Sequence, residues 1–162
     1  MIKSVLVIFF SFIVCSVYGY STGAPKEACD DMKPQHPYDP KTTKFPYNVT
    51  ISKLDAQQGE TLLVRVAGGM EPQFKGFLVQ IRDKNGPVGS FSIPSSNKLA
   101  QTLDCGSKTN AVTHTSADLK DAVEFDWTAP SNYKGKLTLF ASVAKDGAVF
   151  WAKQEANSIQ VS

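Results

Sequence analysis

Few side chains in this 162-residue chain are of a kind that does chemistry, and their spacing limits what they can do together. There are two histidines: His36 stands among prolines, and His114 sits in Thr113-His114-Thr115. A histidine pair can begin a metal site, but no third ligand stands at a spacing that would complete one. No metal is expected, and His114 reads as a hydrogen-bonded, partly buried strand residue. No Gly-x-Ser-x-Gly elbow, His-Glu-x-x-His helix or phosphate loop occurs, and no two carboxylates stand out as an acid–base couple. Ser–His–Asp triads assemble in space, so the supply of serines and aspartates is no evidence for one. A secreted copper monooxygenase would typically need histidine as its first mature residue, where Tyr20 is expected. The chain therefore reads as a binding protein, not an enzyme, and needs no cofactor.

The cysteines say more about compartment than about catalysis. Lys3, the apolar run Val5–Val14 and the small or tolerated residues Val17-Tyr18-Gly19 have the layout of a secretory signal peptide over residues 1–19. The run is too short for an ordinary transmembrane helix; an uncleaved anchor is the alternative. Cys15 leaves with this segment, so residues 20–162 form one domain carrying Cys29 and Cys105. An even pair in an oxidising compartment implies one disulfide, a free thiol being the alternative. The bridge would close a loop of about 76 residues and remove roughly 4–5 kcal/mol of unfolded-state entropy. Asn48-Val49-Thr50 is an N-glycosylation sequon, which makes Asn48 the expected glycan carrier.

Charge excludes two function classes. The 17 basic and 15 acidic residues nearly cancel, and no run of four basic residues occurs. Nucleic-acid binding needs a basic stripe, and membrane lysis relies on basic amphipathic segments, so neither nucleic acid nor membrane insertion is expected.

The elements that must position any site are strands. Residues 20–45 are irregular, with Pro25, Pro34, Pro37 and Pro40 breaking regular structure. From Tyr47 the pattern has period two. Tyr47, Val49 and Ile51 form one apolar face, with Asn48 pointing outward. Leu62, Val64 and Val66 form the next, then Phe77, Val79 and Ile81 with Gln80 and Arg82 opposite. Phe91 and Ile93, Leu99 and Leu103, Val123, Phe125 and Trp127, and Leu137, Leu139, Ala141 and Val143 continue the series. Asp146-Gly147 reads as a hairpin turn, and Ala148–Ala152 and Ile159–Val161 as the last two strands. Only Ser116–Lys120 offers a turn of helix. The sum is an all-β, antiparallel sandwich of seven to nine strands, with barrel closure as the alternative.

Aromatic residues are the remaining candidates for ligand contact. Trp127 lies in line with Val123 and Phe125 and reads as a core anchor. Phe150 and Trp151 are adjacent in a strand, so their side chains point to opposite faces. One of them is thus a candidate exposed platform for a sugar ring or a protein partner, with Tyr38, Tyr47 and Tyr133 in or near loops as possible additions.

These landmarks resemble a known family. Ser21-Thr22-Gly23-Ala24-Pro25 with Cys29, Met32 and His36-Pro37 is similar to the opening of a reeler (reelin N-terminal) domain. So are Phe74-Lys75-Gly76-Phe77-Leu78-Val79-Gln80, the Cys105 segment, Ala111-Val112-Thr113-His114-Thr115 and Trp127-Thr128-Ala129-Pro130. The size most resembles insect defence proteins of the noduler type. The resemblance implies an immunoglobulin-like β-sandwich secreted into haemolymph. It also implies partners among microbial surface glycans, lipopolysaccharide or haemocyte surfaces, with promotion of nodulation or melanisation. It supplies no catalytic residue. A matrix or adhesion module, as reeler domains form in larger proteins, and a carrier of a small apolar ligand are the competing readings.

Overall fold

The computed structural model describes residues 20–162; the expected signal peptide, with Cys15, lies outside them. Ten strands form: β1 (Asn48–Ile51), β2 (Asp55–Ala56), β3 (Thr61–Ala67), β4 (Gly76–Arg82), β5 (Ser90–Ser92), β6 (Ala100–Leu103), β7 (Ala111–His114), β8 (Ala122–Thr128), β9 (Gly135–Ala144) and β10 (Phe150–Val161). They make a four-stranded sheet in the order β1-β3-β8-β5 and a six-stranded sheet in the order β2-β10-β9-β4-β7-β6. Neighbours are antiparallel, except that the two-residue β2 runs parallel to the end of β10.

The alternating residues drive this arrangement. Each strand with one apolar face must bury it, and two such sheets bury each other. Leu62, Val64 and Val66 of β3 and Val123, Phe125 and Trp127 of β8 face Phe77, Val79 and Ile81 of β4 and Leu137, Leu139, Ala141 and Val143 of β9. Phe125 stacks on Phe77, with ring centroids 6.1 Å apart and planes 3° from parallel, and takes Phe91 edge-on at 5.8 Å. Trp127 is fully buried, as an anchor should be, and its indole N–H donates to Val88 O at 2.9 Å. Gly89 makes that approach possible. Its φ of +81° suits glycine, and a Cβ there would lie 2.4 Å from the indole nitrogen.

Three details depart from the sequence reading. The described residues form ten strands, not seven to nine, because the short β2 carries no alternation to read. The two final strands are one, β10, which crosses the sheet's full length and absorbs register shifts between Trp151 and Gln154 and between Glu155 and Asn157; those bulges break the period-two signal. Ser116–Lys120 forms bends, not helix. It ends in a bridge between Lys120 and Phe74.

A third layer covers the six-stranded sheet's other face. The segment after Tyr20 crosses it, with one 3-10 turn at Lys26–Cys29.

Candidate ligand-binding cleft

The N-terminal segment is fastened to the sheet at successive points. Ala24 N–H donates to Thr113 Oγ1 at 2.8 Å on β7. Cys29 is bonded to Cys105, so the expected disulfide forms. Gln80 and Arg82 of β4 both donate to Cys29 O, at 3.1 and 2.9 Å. Ser142 of β9 donates to Met32 O, and Lys41 N–H donates to Phe150 O at 2.8 Å. On the sheet side, Asn110 clasps the Cys105 peptide: its Oδ1 accepts from Cys105 N at 2.7 Å and its Nδ2 donates to Cys105 O at 2.8 Å. Between these anchors Ala28, Cys29 and Met32 pack on Leu78, Cys105 and Ala111 as a second, smaller core. Gln80, expected to face outward, is fully buried for this reason.

Where the segment meets the ends of β4, β7 and β9, the packing leaves a cleft of about 250 Å3. Its walls are mostly carbon, from Ala24, Pro25, Ala28, Met32, Phe77 and Leu78. Both histidines reach it, joined by Lys75, Ala117 and Asp146 from loops at that end.

Backbone groups bracket the His114 ring. Its Nδ1 lies 3.2 Å from the Phe77 N–H and 3.3 Å from the Phe77 carbonyl oxygen. Tyr20 O can only accept, so Nε2 carries a proton toward it at 3.1 Å. Burial holds the ring below its ordinary value of 6.5, against bonds to Phe77 and Tyr20 that raise it; Lys120 and His36 add smaller lowering effects. Gly76 permits this seat, since a Cβ there would stand 3.2 Å from the imidazole. His36 packs edge-on to Phe150 at 5.3 Å. Its Nδ1 is buried without a hydrogen-bond partner. Burial lowers its pKa too, opposed by Asp146.

Lys120, which the sequence did not single out, supports the loop beside the cleft. It is 1% exposed. Its ammonium donates to the carbonyls of Lys75, Ser116 and Asp118 at 2.8, 2.7 and 2.7 Å. Three carbonyl dipoles thus replace its lost water, while burial lowers its pKa and the Asp118 charge raises it.

The expected aromatic platform does not form. Phe150 and Trp151 do point to opposite faces, but both are buried, at 1% and 5% exposure. Trp151 enters the inter-sheet core beside Tyr47 and donates to Thr43 O at 3.1 Å. Phe150 is covered by His36 on the outer face. The reason is the third layer, which buries the face that alternation alone assigns to solvent. Tyr47 is buried as well, and burial first, then Glu71 and Asp146, pushes its phenol up to about 12. Tyr38 stays exposed. Asn48 is exposed at the start of edge strand β1, its Nδ2 donating to Gly68 O at 3.1 Å.

The cleft residues were missed as a group because they come from distant stretches. One signal was available: the run Gly76-Phe77-Leu78-Val79-Gln80-Ile81 is apolar on nearly every position, as a strand buried on both faces should be.

The arrangement offers an apolar recess with polar groups at its edge, and among the described residues no three His, Cys, Asp or Glu side chains gather to hold a metal. Residues 27–162 match the Reeler domain family. The chain belongs to the Reeler family. A Drosophila melanogaster relative named Defense protein l(2)34Fc is 38% identical over 161 residues, spanning 96% of this chain and 98% of its own. Hdd11 of Hyphantria cunea is 35% identical over 158 residues, spanning 95% and 96%. Among solved structures, the reeler domain of human F-spondin superposes with a TM-score of 0.63 at 16% identity, covering 81% of this chain and 97% of that one; this likeness carries the fold alone. Both insect relatives carry defense in their names, which supports a defence role at the level of the family. Family and disulfide together suggest an extracellular protein, and no helix among the described residues is long and apolar enough to cross a membrane.

Proposed function

We propose that the protein is secreted after loss of residues 1–19 and that residues 20–162 act as a recognition protein of innate defence in haemolymph. In this reading it binds microbial surface glycans, lipopolysaccharide or haemocyte surfaces and so promotes nodulation or melanisation. It works by binding rather than catalysis, and Asn48 carries a glycan.

The observation that carries the reading is the cleft. It is a concave, mostly apolar recess with a few convergent polar groups, the usual form of a ligand site. It lies where loops meet a rigid sandwich, which is where such folds build specificity. Membership of a family with defense-named relatives gives the recess its context.

The test is a pull-down of the purified mature protein on bacterial, fungal and haemocyte surfaces and on immobilised matrix proteins, beside the variant Ala117→Trp. Ala117 lines the cleft and is exposed, so the larger ring obstructs the opening without entering either core. Binding to microbes or haemocytes that the variant loses supports the reading. Binding confined to matrix proteins, or equal binding by both proteins, overturns it.

A further inference from the structure

Size and lining together select the kind of molecule the cleft takes. Its volume of about 250 Å3 is below the roughly 300–1,000 Å3 of sites for drug-sized molecules, which suits a slender chain. The half-buried Ala24, Pro25 and Pro34 line the cleft with carbon, so the part of a microbial glycolipid that suits the interior is its alkyl chain, with the sugar hydroxyls left at the rim where water or loop groups can bond them. Among the polar wall groups, His36 keeps a buried, unpaired Nδ1, while two others are committed. Both nitrogens of His114 are bonded to backbone, and Ser142 is bonded to Met32 O.

The mouth differs from the walls. Lys75 and Asp146 both line it. Asp146 Oδ1 accepts from the turn amides of Ala148 and Val149, at 2.8 Å each. Lys75 has no part in the ion pairs formed among the described residues, which join Lys53 to Glu60, Arg65 to Glu124 and Lys145 to Glu71. Lys75 is exposed, and its charge reaches the half-buried Asp146, whose carboxyl is held below its ordinary value by the Ala148 amide first and by Lys75 among the smaller causes, so the edge of the apolar recess carries a cation beside an anion.

We propose that the cleft binds one alkyl chain of an anionic amphiphile, with the tail against the half-buried Ala24, Pro25 and Pro34 and the anionic head taking the exposed Lys75 ammonium in competition with Asp146. The proposal rests on reading the cleft as the contact site and names the chemistry it accepts. A free fatty carboxylate and an acyl chain of a glycolipid share that chemistry.

Calorimetry on the mature protein with hexanoate, octanoate and decanoate tests it. Affinity should rise about fourfold per added methylene until the cleft is full. Lys75→Gln should weaken decanoate about tenfold and leave decanol unchanged. Ala117→Trp, shown folded by circular dichroism, should abolish both. Lipopolysaccharide and its deacylated form separate the two sources: binding that needs the acyl chains supports a glycolipid, and binding of decanoate alone supports a free fatty acid. Affinity independent of chain length, or undiminished in folded Ala117→Trp, overturns the proposal. Microbial binding without decanoate binding sinks the alkyl chain and spares recognition; decanoate binding without microbial binding does the reverse.

Discussion

The two faces of the six-stranded sheet are buried by different means. Facing the small sheet, Phe77, Val79, Ile81, Leu137 and Leu139 meet other large side chains in a continuous aromatic and aliphatic core. On the other face, Leu78 and Ala111 meet Ala28, Met32 and the disulfide in a cluster of few carbons. That second layer is held mostly by named polar bonds: Gln80 and Arg82 to Cys29 O, Ser142 to Met32 O, and Asn110 around Cys105. The difference teaches where a cleft can survive. Dense packing between two sheets leaves no room, whereas a segment tied down at separated points spans gaps it does not fill.

If that contrast is right, damage to the inner core should be global and damage to the outer layer local. Trp127→Ala should cost about 3–5 kcal/mol, seen in denaturant titration as one transition in which both layers are lost together. Replacing Cys29 and Cys105 with serine should cost about 2–5 kcal/mol. Its signature should be local, with amide-exchange protection lost for the segment around Ala28 and Met32 while β3 and β8 keep theirs. Equal loss in β8 would show that the two layers are one cooperative unit. Asn110→Ala leaves the buried Cys105 peptide unpaired and should cost about 1–3 kcal/mol, with the same local exchange pattern.

Acid gives a smaller effect on the same layer. Burial holds His114 and His36 below 6.5 in the folded chain. The unfolded chain therefore binds more protons between the depressed folded values and 6.5, and stability falls as pH falls through that window. The melting temperature should drop on acidification below about pH 6.5, and His114→Gln should flatten the slope. A steeper slope in the variant would contradict the assignment. Smallest of all is Asn48→Gln, outside both layers. It should remove a glycan from the secreted protein, read by mass, and leave the melting temperature within error.

The inner core was legible because its signal is repeated. Val64, Phe125 and Leu139 each sit in an alternating run, and any one run predicts the same buried face. The outer layer was not, because its cause lies elsewhere in the chain. Nothing local to Gln80, Phe150 or Lys120 says that residues 24–41 lie over the outer face or that carbonyls converge on an ammonium. The proline-rich segment read correctly as irregular, yet irregular backbone still forms a wall when a disulfide and sheet donors hold it. The cysteine pair was the legible part of the third layer; the cleft beside it depends on which side chains the bridge brings face to face.

Strand β10 has a consequence for how the molecule can be presented. It starts at Phe150, beside the Asp146-Gly147 turn that borders the cleft, and runs to Val161. At about 3.3 Å per residue, its twelve residues carry the chain some 40 Å, less the bulges, to the opposite pole. There Ser162 N–H donates to Ala56 O at 3.0 Å and Ser162 O accepts from Gln58 N at 3.2 Å, so the tail is stitched to the sheet rim. A tether, sensor chip or fused partner attached after Ser162 would therefore leave the recess facing away from its support, and immobilised protein should capture ligand as freely as protein in solution.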